Sequence, residues 1–119
     1  MALTRERAEV VFAAYCERHA RCDLAGVLAL FAPDATVEDP VGAPGYAGLD
    51  AIEGFYAGTQ ARNGPMTIER VGALLVGGDE LAVHVRAELE AEGAPPAMDV
   101  IYVIAVDEAG RIRSLRAWY

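Results

Sequence analysis

An α+β fold follows from a change of period along the chain. The first half carries apolar side chains at the three- and four-residue spacing of helices, and from Met66 onward they alternate as in strands. The later segments are separated by short turn-like runs, Gly77-Gly78-Asp79, Glu92-Gly93-Ala94-Pro95-Pro96 and Asp107-Glu108-Ala109-Gly110, so neighbouring strands are expected to pair antiparallel as a meander. Helices first and strands later predict three helices laid on one face of a bent, mostly antiparallel sheet, with their apolar faces enclosing a pocket. At 119 residues the chain makes one domain, 1–119, with one core. It holds no repeat, low-complexity segment or linker.

The elements follow in order. After Thr4, a helix-capping type, Ala8, Val11, Phe12, Tyr15 and Cys16 make the stripe of an amphipathic helix that frays near Ala20. Asp23 is the expected N-cap of a second helix with Leu24, Val27, Leu28 and Phe31 as its stripe, stopping at Pro33. A short strand comes next. The loop Gly42-Ala43-Pro44-Gly45 leads to a third helix, with Asp50 and Glu53 at capping-box spacing, Ile52, Phe55 and Tyr56 buried, and Gly58 weakening its end. Four strands then cover Met66–Val76, Leu81–Leu89, Ala97–Val106 and Ile112–Tyr119.

The short strand holds the best candidate for a chemical group. From Ala35 the side chains alternate, with Ala35, Val37 and Asp39 on the inner face and Thr36 and Glu38 on the outer. Desolvation penalises an ionised carboxylate, so Asp39 is expected to titrate above the usual value of about 3.9 and to accept protons well. Taken alone, the stretch also fits an Asp that caps the turn through Pro40 and Gly42.

In the later strands Val83, Val85, Ala87 and Leu89 share one face, as do Met98, Val100, Tyr102, Ile104 and Val106. Leu115, Ala117 and Tyr119 form the matching row of the last strand. Val83, Val85, Leu89, Met98, Val100, Leu115, Ala117 and Tyr119 are therefore the expected pocket wall. His84 and Arg86 face the other way. One inward carboxylate with several inward phenols, Tyr15, Tyr56 and Tyr102, in an apolar interior suits acid-base work on a carbonyl compound.

Composition narrows the ligand. The chain is 54% hydrophobic, and 18 acidic against 10 basic residues give a net charge of −8. That charge repels phosphate backbones and anionic lipid, so neither nucleic acid nor a membrane surface is an expected partner, and a neutral apolar molecule fits better. Charged residues precede any apolar stretch and no apolar run reaches membrane-spanning length, which predicts a cytoplasmic protein. Cys16 and Cys22 fit no metal or redox spacing and are expected as reduced thiols. His19 and His84 lack further ligands nearby in sequence, so no metal is expected.

These residues resemble the bacterial ketosteroid isomerases, or steroid delta-isomerases, of the nuclear-transport-factor-2-like (NTF2-like), SnoaL-like group. The resemblance runs through Tyr15, Asp34 to Gly42, Gly48 to the Phe55-Tyr56 pair, Asp99-Val100-Ile101-Tyr102, and Asp107 to Ile112. It implies a cystatin-like, NTF2-like cone, an isomerase of 3-oxo-delta-5-steroids that needs no cofactor, and a homodimer. It puts the general base on Asp39, an oxyanion-binding phenol on Tyr15 and a phenol that supports it on Tyr56, with Phe31 where some members have a further tyrosine. The family's second oxyanion donor is a neutral aspartic acid, for which this family is itself the standard illustration. Here that position is Tyr102. Asp99, three residues earlier on the opposite face, is expected to be structural. A phenol is protonated at pH 7 unaided, so Tyr102 is the expected substitute donor. A donor that fails to reach the oxyanion costs about 3 kcal/mol. The alternatives are a polyketide-cyclase-like enzyme of the same fold and a non-catalytic small-molecule binding module.

Overall fold

Thr4 starts the first helix. Its hydroxyl accepts a hydrogen bond from the Arg7 N–H at 3.1 Å, satisfying one of the free donors at a helix start. The computed structural model describes residues 2–119, and in it α1 runs Arg5–Ala20 with Ala8, Val11, Phe12, Tyr15 and His19 buried. Asp23 caps α2 (Leu24–Leu28) by accepting from the Gly26 N–H at 2.9 Å. A β-carbon at Gly26 would collide with that same carboxylate, so the cap itself requires glycine there.

The second helix is shorter than its apolar stripe predicts. Phe31 and Pro33 lie not on it or just beyond it but in β1 (Phe31–Glu38). Between Phe31 and Thr36 the pairing of β1 with its neighbour slips register, and a residue without an N–H is tolerated where the ladder is already interrupted. Beyond the slip the expected alternation holds, with Ala35 and Val37 buried and Thr36 exposed.

A two-residue strand that the sequence does not announce, β2 (Tyr46–Ala47), pairs antiparallel with β1. The third helix, α3 (Leu49–Asn63), starts at Gly48, whose φ of 86° favours glycine. Asp50 therefore sits inside the first turn, where its charge faces the positive end of the helix, and no capping box with Glu53 forms. Gly58 does not end the helix, which continues to Asn63. Ile52 and Tyr56 are its buried residues.

The segment Met66–Val76 is two strands, β3 (Met66–Arg70) and β4 (Leu75–Gly77), separated by a bend at Gly72. Both pair antiparallel with β5 (Glu80–Leu89). The meander continues through β6 (Met98–Val106) to β7 (Ile112–Trp118). β1 then adds to β7 in parallel, giving the order β2-β1-β7-β6-β5-β3, with β4 on β5 beside β3. The result is the three-helix, mostly antiparallel α+β fold that the sequence predicts.

One irregularity aims the last strand. Ala105 pairs with Ser114 and Val106 with Ile112, so Arg113 is an extra residue, a β-bulge. The bulge lets Ile112 and Leu115 both point inward, fully buried, while Arg113 turns out to Asp79 at 2.7 Å. Beyond the bulge the alternation is restored, with Ala117 inside.

Candidate active site

Asp39 follows directly on β1, and the pairing of its neighbour Glu38 with Arg116 of β7 fixes where the strand ends. Two contacts pin the segment: the Arg116 Nε donates to the Glu38 carboxylate at 2.9 Å, and the Val41 N–H donates to the Ala117 carbonyl at 2.7 Å. Glu38 thus faces outward and Asp39 faces a cavity of about 310 Å³ between the helices and the inner face of the sheet. That volume is at the lower end of the range, roughly 300–1,000 Å³, of small-molecule sites.

Three buried phenols line the same cavity, each from a different element: Tyr15 from α1, Tyr56 from α3 and Tyr102 from the centre of β6. The hydroxyls of Tyr15 and Tyr56 are hydrogen-bonded at 3.1 Å. The ring of Tyr102 meets that of Tyr15 edge-on, with centroids 5.5 Å apart. Phe31 packs on Tyr56 with centroids at 5.8 Å and carries no hydroxyl, so the phenol chain stops at Tyr56. Tyr119, beyond the end of β7, donates its hydroxyl to Asp39 Oδ1 at 2.6 Å. Tyr119 is thus both wall and hydrogen-bond partner, and only the first of these was legible in the strand alternation.

The electrostatics follow from burial. Desolvation raises the Asp39 carboxyl above the ordinary aspartate range, and the Tyr119 hydrogen bond opposes the rise by favouring the charged form. Burial also pushes Tyr15, Tyr56 and Tyr102 up, and the Asp39 charge adds to the effect in all three. At neutral pH the cavity therefore presents neutral O–H donors beside one weakly acidic carboxyl group, a set able to accept a proton from a ligand and to hydrogen-bond an oxygen that gains charge.

A profile of the SnoaL-like domain matches residues 12–115. The chain belongs to the SnoaL-like family. Among its relatives is the steroid Delta-isomerase of Nocardioides simplex, 36% identical over 95 residues that cover 80% of this chain and 75% of that protein. Among solved structures, the crystal structure of RV0760c from Mycobacterium tuberculosis superposes with a TM-score of 0.86 at 24% identity, covering 98% of this chain and 93% of that one. The NTF2-like fold expected of this SnoaL-like chain is thereby shown.

The structure divides the expected pocket wall. Leu89, Met98, Val100 and Tyr119 line the cavity. Val83, Val85, Leu115 and Ala117 do not. They are buried in the core, because the inner sheet face extends past the cavity into a region filled by packed side chains. Asp99 points outward, where it meets His84 Nε2 at 2.9 Å and Arg86 at 3.5 Å. Among the described residues no cluster of His, Cys, Asp and Glu could hold a metal ion, and no helix is long and apolar enough to cross a membrane. The thiol of Cys16 is pushed up to about 12 by burial, which leaves it protonated and unreactive.

Two lining residues, His19 and Gln60, carry signals that the sequence reading passes over. Each stands four positions after a cavity tyrosine on the same helix, Tyr15 and Tyr56, and so on the same helical face. His19 is 4% exposed, and burial lowers its pKa to about 4. The folded protein therefore binds this proton less readily than the unfolded chain. Its contribution to stability is complete above about pH 6.5 and is lost as pH falls through 4, by up to about 3 kcal/mol. Denaturant unfolding at pH 7 and pH 4 should show a smaller loss of stability on acidification in His19→Leu than in the unsubstituted protein, and equal losses would contradict the burial of a neutral imidazole.

Proposed function

We propose that the protein is a steroid delta-isomerase that converts 3-oxo-delta-5-steroids to their conjugated delta-4 isomers. The observation that carries this reading is the convergence of Asp39 with Tyr15 and Tyr102 on one cavity, supported by the likeness to the steroid Delta-isomerase of Nocardioides simplex. Asp39 removes a proton from the carbon between the carbonyl and the double bond. The electron pair of that C–H bond moves into a dienolate whose negative charge rests on the carbonyl oxygen. Protonated Asp39 then returns the same proton to the far carbon of the former double bond, so atoms and charge balance without a cofactor.

Tyr15 and Tyr102 each donate a hydrogen bond to the dienolate oxygen, and Tyr56 supports Tyr15 by donating to it, which leaves the Tyr15 proton free for the ligand. Tyr102 takes the place of an aspartic acid and stays neutral without assistance. Donors fixed in a water-poor site stabilise the charge as it develops, without reorganising at the moment of reaction. Tyr119 occupies Oδ1 of Asp39 and leaves Oδ2 to act as the base, while Leu89, Met98 and Val100 hold the rings. A second reading, a cyclase of the same family or a binding module, rests on the exchange of aspartic acid for Tyr102. Tight steroid binding without isomerisation would select the binding module.

Incubation with 5-androstene-3,17-dione, followed by enone absorbance, should show turnover that falls at least about 100-fold in Asp39→Asn. Tyr15→Phe and Tyr102→Phe should each slow the reaction by about 100- to 1,000-fold. Unchanged turnover in Asp39→Asn removes that residue from the mechanism, and an unchanged rate in Tyr102→Phe makes its phenol a wall only. The kcat/KM profile should rise with pH through an apparent pKa above the ordinary aspartate value of about 3.9. Tyr119→Phe, which deletes a bond to the charged form, should move that limb to higher pH. A limb at the ordinary value in both proteins would contradict a desolvated base.

We also propose a homodimer through the outer face of the sheet. Ile101 and Trp118 are cross-strand neighbours there and remain 46% and 38% exposed, a paired apolar surface that the same face of a second copy would cover. Sedimentation should give a dimer that Ile101→Arg converts to monomer. A monomer at all concentrations would contradict it.

A further inference from the structure

We propose that His19 and Gln60 form a second polar subsite in the cavity, one that holds a neutral oxygen substituent, hydroxyl or ketone, on the body of the ligand. The inference rests on the steroid reading above and extends it from the reacting oxygen to a second oxygen elsewhere on the same molecule.

Both residues line the cavity, and His19 Nε2 and Gln60 Nε2 are shielded from water yet have no hydrogen-bond partner. A buried polar nitrogen without a partner is destabilising, and native interiors seldom keep one without a reason. Leucine at either position would remove the penalty. Two such nitrogens are more telling than one, because they come from separate helices, α1 and α3, and both residues line this one cavity. The neighbouring polar group on α3 is not in the same state, since the Thr59 hydroxyl donates to the Tyr56 carbonyl at 3.0 Å.

The imidazole packs against the phenols, and a turn about its soft ring torsion brings its shielded nitrogen to the cavity. Its ring meets Tyr15 edge-on with centroids 4.4 Å apart and packs against Tyr56 at 5.1 Å. The subsite therefore adjoins the phenols without belonging to their hydrogen-bond pair. The terminal amide of Gln60 turns about a soft torsion and can swing its NH2 group to a ligand. The partner chemistry follows from these groups. An amide NH2 donates, and a neutral imidazole nitrogen donates or accepts according to tautomer. A hydroxyl satisfies both arrangements and a ketone oxygen satisfies the first.

The test measures dissociation constants for estra-1,3,5(10)-trien-3-ol, whose phenol resembles the dienolate, and for its derivatives with a single added hydroxyl at carbon 6, 7, 11, 16 or 17. The unsubstituted protein should bind at least one derivative on the order of tenfold more tightly than the parent, as two hydrogen bonds to formerly unpaired groups allow. In His19→Leu and in Gln60→Leu that advantage, taken as the ratio of derivative to parent affinity within the same variant, should shrink to within about threefold. Gln60, which is only partly buried, keeps the test valid if His19→Leu does not fold. The proposal is overturned if no hydroxyl improves binding, if the advantage survives both substitutions, or if parent and derivative weaken equally. Binding of the parent without any gain from hydroxyls overturns this subsite alone. Failure of every steroid to bind overturns the steroid reading and the subsite with it.

Discussion

The site depends on one constraint, the partial withdrawal of the Asp39 carboxyl group from water without giving it a cation. Among the described residues its hydrogen-bond partner is a phenol, Tyr119. An arginine or lysine in that place would hold the carboxylate ionised and weakly basic. A neutral donor instead leaves desolvation as the larger effect, so the group keeps affinity for a proton. Other acidic side chains of the chain show the contrast. Glu38, one residue away, is held below the usual range by Arg116, and Asp99 is held down by His84 and Arg86 on the outer face. Adjacent residues at the end of β1 thus shift in opposite directions, because one turns outward to a cation and the other inward to the cavity.

The fold serves this arrangement through register more than through any single contact. β1 joins the sheet in parallel beside β7, so the end of β1 and the end of β7 lie together and bring Asp39 to Tyr119. The bulge at Arg113 sets which faces of β7 point inward. A chain without it would turn Ala117 outward and redirect everything beyond. On the other side of the cavity, α1 and α3 each offer a tyrosine at one turn and a nitrogen-bearing side chain at the next. The cavity wall is therefore graded, with phenols around the carboxylate and amide and imidazole beside them.

Much of this was legible in the sequence for a physical reason. Short-range periodicity determines which face of an element a residue occupies, so Tyr15, Tyr56, Tyr102 and the inward turn of Asp39 could all be read from spacing. Boundaries that depend on partners distant in sequence could not. Phe31 continues an apolar helical pattern that Pro33 is expected to stop, yet pairing with β7 draws both into a strand. The two residues of β2 have no pattern of their own and exist because β1 offers an edge. Asp50 has capping-box spacing, but the helix starts from Gly48, two residues earlier than such a box needs. Val83, Val85, Leu115 and Ala117 share the correct face, and alternation alone does not reveal where along that face packing gives way to open space. Gln60 and the place of His19 on the cavity wall are hidden because a polar residue on a buried stripe contradicts the simple pattern, although four-residue spacing from the tyrosines is a signal for both.

The central claim is that a ligand oxygen meets neutral phenols while Asp39 stands over the adjoining carbons. A crystal structure with a bound phenolic steroid tests it most directly. The account predicts the steroid oxygen within hydrogen-bond distance of the hydroxyls of both Tyr15 and Tyr102, with the free oxygen of Asp39 above the face of the ring system. A steroid bound with that oxygen toward solvent, or with Asp39 turned away from the rings, would contradict it.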